Sequence, residues 1–274
     1  MNSMRLVFLC PLLFVLAACG SVPPFQPLPS DARDKIASTD VVVPIRQHEI
    51  YVFVPASTAG AAGGASMGLA GALVGALVDA SIDSVRTGKA EKAVTPLRDS
   101  LVDYSFDNVF KDDLANSLSQ LSWVHVDSVH VVRDFRESDL DNDLAASKDA
   151  AVLFMTTDYN LDNDGNVLTV TVSAALYPNN AALRSYAKKG SVKPSTGIAN
   201  SIYHDTLVFK RPLDGGTADR DANIARWSAD KGAMMREALD DAAKRLAQKI
   251  AADLERNDAD GPPNAGDGLP TAAP

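Results

Sequence analysis

AVLFMTTDYNLDNDGNVLTVTVSAALYP, residues 151–178, decides the fold. Two β-rich apolar runs are joined through Asn163-Asp164-Gly165-Asn166. Asp-Gly suits a turn that needs positive φ, so the stretch reads as one long β-hairpin. A hairpin of this length has to sit inside an antiparallel sheet, and the rest of the chain must cover it.

Working outward, IYHDTLVFKR (202–211) predicts a further strand, and WVHVDSVHVV (123–132) another. DVVVPIRQHEIYVFVP (40–55) carries two strand-like runs. In the second, Ile50, Val52 and Val54 alternate with Tyr51 and Phe53, and both sets are apolar. Such a strand belongs in a sheet covered on both faces. Residues 89–121 have helical period, with Phe106, Val109, Phe110, Leu114, Leu118 and Leu121 on one face. Pro96 should kink or restart that stretch. A long helix is predicted over Ser228 to Arg256. Met235, Leu239, Ala242, Leu246, Ile250 and Leu254 form its inner stripe, while Asp240, Asp241, Lys244, Lys249 and Arg256 point outward. The order is strand, helix, helix, strand, short helix, hairpin, strand, helix. It predicts an α/β (α+β) domain over residues 40–256: a mixed, mainly antiparallel sheet flanked by helices, with a long C-terminal helix.

The ends carry the address. Arg5 precedes an apolar run from Leu6 to Ala18, too short to span a bilayer comfortably and flanked as a secretory leader is. The run closes in Leu16-Ala17-Ala18-Cys19-Gly20, which resembles the lipobox of bacterial lipoproteins. The resemblance implies removal of residues 1–18, acylation of Cys19 (palmitate among the acyl chains) and, with Gly20 rather than Asp after it, sorting to the periplasmic side of the outer membrane. Residues 19–39 hold four prolines between Pro23 and Pro29 and read as an extended tether, which over about twenty residues would reach roughly 60 Å. Residues 257–274, rich in Pro, Gly and Ala, read as a disordered tail. Cys10 and Cys19 are the two cysteines of the chain, so the folded part offers no disulfide and no thiol nucleophile. A formal net charge of −9 argues against a nucleic-acid partner. In element order and lipidated N-terminus, the chain resembles the α/β domains of curli-export and penicillin-binding-protein-activator lipoproteins.

The Gly/Ala-rich segment 56–78 is free of charge. It lacks the Lys and hydroxyl of a phosphate loop. Gly64-Ala65-Ser66-Met67-Gly68 fits the pattern of a serine-hydrolase elbow, yet the preceding strand ends near Pro55, too early to place Ser66 on its turn. Gly60, Gly64 and Gly68 are four apart, and so are Gly71 and Gly75, the spacing that lets helices touch. This resembles the glycine-zipper segments of some outer-membrane lipoproteins. The segment is expected to pack closely, against the domain or another copy, with membrane insertion as part of a pore or export complex as the alternative.

Other candidates are weaker. Asn160 to Gly165 matches the first half of a calcium loop but has Val172 where a bidentate Glu belongs, so it reads as a hairpin tip. Asp139, Asp141 and Asp143 cluster on a loop or helix start. His125 and His130, five apart on one strand, face opposite sides, and His48 and His204 are isolated. Trp123 and Trp227 read as core. Arg184, Lys188, Lys189 and Lys193, beside Tyr186, form the one basic patch, suited to lipid head groups or an acidic partner. No cofactor or metal is implied. The sequence therefore points to a non-enzymatic envelope protein, anchored to the bilayer through Cys19, that binds an envelope partner or itself.

Overall fold

The computed structural model describes residues 25–44, 47, 49–54, 84–132, 137–187 and 196–256. The leader, Cys19, His48, the segment 56–78 with Ser66 and its glycines, Lys188, Lys189, Lys193 and the tail 257–274 lie outside the described residues.

The hairpin forms as expected. β4 (Ala151–Leu161) and β5 (Val167–Pro178) pair antiparallel from Ala151↔Pro178 to Leu161↔Leu168. Gly165 takes φ 71° at the turn. Asp162 ties the turn shut: its Oδ1 accepts from the backbone N–H of Asn166 (2.6 Å) and Val167 (3.1 Å). Three further strands, β1 (Thr39–Pro44), β3 (Val126–Val132) and β6 (Tyr203–Pro212), extend the sheet to the order β3-β1-β4-β5-β6. β2 (Tyr51–Val52) pairs with the far end of β4, so β1 and β2 take successive stretches of the same β4 edge. The pairs β1–β3, β1–β4 and β2–β4 are parallel; the long ladders β4–β5 and β5–β6 are antiparallel. The sheet is mixed and, by ladder length, mainly antiparallel.

One face carries the main core. α2 (Ser84–Ser100), α3 (Phe106–Leu118) and α6 (Arg220–Glu255) pack together on it. Leu153, Met155, Val170, Val172, Leu176, Tyr203 and Phe209 meet Phe110, Leu114, Leu239, Leu246 and Ile250 there. The other face is covered at one end by α4 (Glu137–Ala146), where Leu144 seals Val42, Val152, Phe154, Ala175 and Tyr177. This two-sided burial is why the β-strands read as continuous apolar runs.

Three expectations need correction. Pro96 lies inside α2 without ending it; the chain breaks after Ser100 and restarts at Phe106. α6 begins at Arg220, earlier than Ser228, with Asp219 as N-cap accepting from the Ala222 N–H (3.2 Å). It is then interrupted at Ala229–Gly232, where Asp230, Lys231 and Gly232 all take positive φ. The close approach to α2 requires a glycine here: a Cβ on Gly232 would stand 2.7 Å from Ser100 Oγ. Finally, residues 25–38 are not free tether. Leu28, Ala32 and Ile36 are buried in the main core, Ala32 on the short helix α1 (Ser30–Arg33) and the other two on either side of it.

Candidate functional site

Residues 25–38, here called the strap, join the folded domain to whatever precedes it. Their seat lies at one pole of the sheet, where β6 begins and α6 ends. Gln26 forms a single antiparallel bridge to His204 (N to O 2.9 Å, and 3.2 Å in return), on the β6 edge away from β5. Gln26 Nε2 also donates to the Ser201 carbonyl (3.1 Å). The Phe25 ring stands edge-on to Tyr203, centroids 6.4 Å apart. Further along, the Arg33 guanidinium lies 5.8 Å from the Trp123 ring and donates to the Arg256 carbonyl. Tyr186, after the short helix α5 (Ala181–Arg184), gives its hydroxyl to Asp31 Oδ2 (2.8 Å). Lys35 lies over the Tyr186 ring at 4.6 Å and bonds its hydroxyl, a contact that raises the Lys35 pKa. Arg184 closes α5 two residues before Tyr186, so the basic stretch starts beside the seat.

Beneath the seat lie two buried carboxyls, Asp205 and Asp253. Asp205 alternates inward with Tyr203, Leu207 and Phe209 on β6, and Asp253 sits on the inner face of α6, fully buried. Asp205 Oδ2 and both carboxyl oxygens of Asp253 are buried without a hydrogen-bond partner. Burial first, then the neighbouring Asp253 carboxyl, push the Asp205 pKa up to about 7; the Thr206 N–H and Lys249 oppose the shift. Lys249 Nζ (3.2 Å) and an Arg256 guanidinium nitrogen (3.6 Å) stand near Asp253 Oδ1. The Tyr203 hydroxyl is buried without a hydrogen-bond partner, and burial together with the charges of Asp205 and Asp253 raises its pKa well above the usual tyrosine value.

The remaining sequence candidates are placed as follows. At the hairpin tip, Arg220 donates to the Asn163 carbonyl (2.5 Å) and Oδ1 (2.7 Å), Asn223 to the Asp164 carbonyl (2.8 Å), and Trp227 Nε1 to the Gly165 carbonyl (2.9 Å). The oxygens of the calcium-like stretch thus dock the start of α6 onto the turn. Among the described residues, no cluster of three His, Cys, Asp or Glu side chains could hold a metal. Asp141, on α4, accepts from Thr196 N (2.7 Å) and Oγ1 (2.6 Å). His125 precedes β3 rather than lying on it, and its carbonyl takes the Thr39 N–H (2.8 Å).

His130 pairs with Asp40 (3.4 Å) and Ser128 Oγ (2.6 Å), both through Nε2. A relay needs the acid on the opposite ring nitrogen from the serine, so this trio is not one. His204 Nδ1 meets Ser201 Oγ (3.1 Å). Trp227 is core, as expected, and Trp123 is partly buried under Arg33.

The strap and the carboxyl pair were missed in the sequence. The signals were there: Leu28, Ala32 and Ile36 step by four, and Asp205 and Asp253 each occupy an inward position of their element's apolar pattern. Among the described residues, no helix is long and apolar enough to cross a membrane.

No protein-family model and no curated protein matches the chain. Among solved structures, it is similar to a dodecamer of a PelC point variant from Paraburkholderia phytofirmans at 10% identity, over 81% of this chain and 93% of that one, with a TM-score of 0.28. At that score the likeness carries no argument.

Proposed function

We propose that this chain is a lipid-anchored envelope protein, held on the periplasmic side of the outer membrane through acylated Cys19, that works by binding an envelope partner or another copy rather than by catalysis. The observation that carries the reading is Leu16-Ala17-Ala18-Cys19 at the end of a secretory leader, placed shortly before a docked strap. If Cys19 is acylated, residues 20–24 separate the lipid from the seat, and fully extended they reach about 20 Å. The domain then sits close to the head groups, with Lys35 and Arg184 at that pole and Lys188, Lys189 and Lys193 following Arg184 in the chain. Lys and Arg near an anionic surface each contribute about 1 kcal/mol of attraction. The hairpin tip lies at the opposite pole, roughly 40 Å away along β5, and is the part presented to partners.

In-cell photo-crosslinking from the intact, acylated protein followed by mass spectrometry tests this reading. The expected result is a recurrent envelope protein, or a second copy, captured from positions in the domain. A monomer that captures nothing in intact cells would overturn it. Capture of lipid acyl chains by residues 56–78 would instead favour the glycine zipper (Gly60, Gly64, Gly68, Gly71, Gly75) as a membrane-inserting element of a pore or export complex.

A further inference from the structure

β6 is the last strand of the sheet, and among the described residues its outer edge is filled at one end alone. His204 exchanges both backbone bonds with Gln26, so its N–H and C=O point away from β5. Backbone direction alternates along an antiparallel strand, and Thr206, Val208 and Lys210 therefore turn their peptide groups the same way. The Thr206 N–H is satisfied locally by Asp205 Oδ1 (2.7 Å). Among the described residues, nothing bonds the Thr206 carbonyl or the N–H and C=O of Val208 and Lys210 on that side. Pro212, which has no N–H, closes the stretch at its far end.

A row of charge on α6 borders this edge. Glu237, Asp241, Arg245 and Lys249 follow one another at steps of four and share a side of the helix. Glu237 meets Arg211 of β6 (3.3 Å), which sets that side beside β6. Arg236 and Asp240 turn the other way, to Asp103 and Tyr104. Arg245 and Lys249, with Lys244 and Gln248, line a shallow hollow. Lys210, Arg211, Lys244, Arg245 and Lys249 thus stand against Glu237 and Asp241, in a chain whose formal charge is −9. On the other face of the sheet, Val208 is 43% exposed, although Leu207 and Phe209 beside it are buried.

We propose that the open stretch of β6, from Thr206 to Lys210, takes an extended acidic segment of a partner protein as an added strand. Main-chain bonds to Val208, Lys210 and the Thr206 carbonyl hold the segment. Its side chains alternate between the two faces. Those on the α6 side meet Arg211, Arg245 and Lys249, which carboxylates complement. Those on the other side lie against Val208, which suits apolar side chains. The segment so recognised alternates acidic and apolar residues. This names the partner's chemistry within the binding role proposed above and rests on that role; the open edge does not.

Fluorescence anisotropy on the full acylated protein in neutral detergent tests the edge. The probe is a labelled, end-blocked peptide of alternating glutamate and valine, set beside one of lysine and valine. The glutamate peptide should bind saturably, and the lysine peptide at least about tenfold more weakly. Lys210→Pro removes an N–H that nothing bonds in the free domain, so it should keep the fold while affinity falls about tenfold. Arg245→Gln should cost several-fold and make the salt dependence of binding shallower. If Lys210→Pro does not fold, the two peptides and Arg245→Gln decide. On binding, hydrogen exchange should slow at Val208 and Lys210 and stay unchanged in the β4–β5 hairpin. No saturable binding of the glutamate peptide, equal binding of both peptides, or full affinity in folded Lys210→Pro would each overturn the proposal. Binding seen only after removal of residues 257–274, which carry Asp258, Asp260 and Asp267, would make the chain's own tail the occupant and overturn the assignment to a partner. Capture of an envelope protein in cells with no peptide binding here would leave the binding role standing and overturn this edge as its seat.

Discussion

At the scale of single residues, two positions set the energetics most sharply. Asp205 binds a proton in the folded chain that the unfolded chain has already lost, between the ordinary value of 3.8 and about 7. Its folded pKa is raised, and for an acid this means that stability falls as pH climbs through that window. Asp205→Asn should therefore flatten the melting temperature against pH between 4 and 7 and raise it at pH 8, measured by calorimetry; an unchanged slope would show that the proton sits elsewhere. Trp227 is the second position. Its indole N–H satisfies the buried Gly165 carbonyl, so Trp227→Phe leaves that acceptor unpaired and should cost about 1–3 kcal/mol in denaturant unfolding. Trp227 was readable as core from its place at the opening of an element. Its bond to the hairpin was not, because it joins residues 62 apart in sequence that meet only after folding.

At the scale of elements, legibility follows period. The β4–β5 hairpin and the inner stripe of α6 repeat their pattern over many residues, and both are found where the sequence places them. Short elements failed. α1 has four residues, and four prolines just before and within its flank read as tether, so Leu28, Ala32 and Ile36 were passed over although all three are buried. The α6 break failed for a different reason: Asp230 and Lys231 adopt positive φ, which their side chains do not announce. Gly232, next to them, is the part the chemistry dictates. Gly232→Ala would force both a strained backbone and a clash at Ser100, and it should destabilise the domain by at least about 1 kcal/mol. An equal or higher midpoint in urea would mean that α2 and α6 are not in contact there.

At the scale of the whole molecule, the sheet gives the domain two poles. The strap, α5 and the start of β6 share one, and the hairpin tip with the start of α6 forms the other. A photo-reactive residue at Ser185 should label lipid in intact cells, and one at Asp214, beside the hairpin tip, should not; the reverse pattern would put the wrong pole at the membrane. Within the candidate site, the proposed anchor rests on a short motif, while the seat was not legible, since it is assembled from β6, α6, α5 and the loop before β3. The account stands on the anchor. Mass spectrometry of the N-terminal peptide, from protein extracted out of the membrane fraction, measures it most directly. The predicted peptide begins at Cys19 and carries acyl chains on that residue. A peptide beginning at Met1, or an unmodified Cys19 in protein recovered from the soluble fraction, would contradict it.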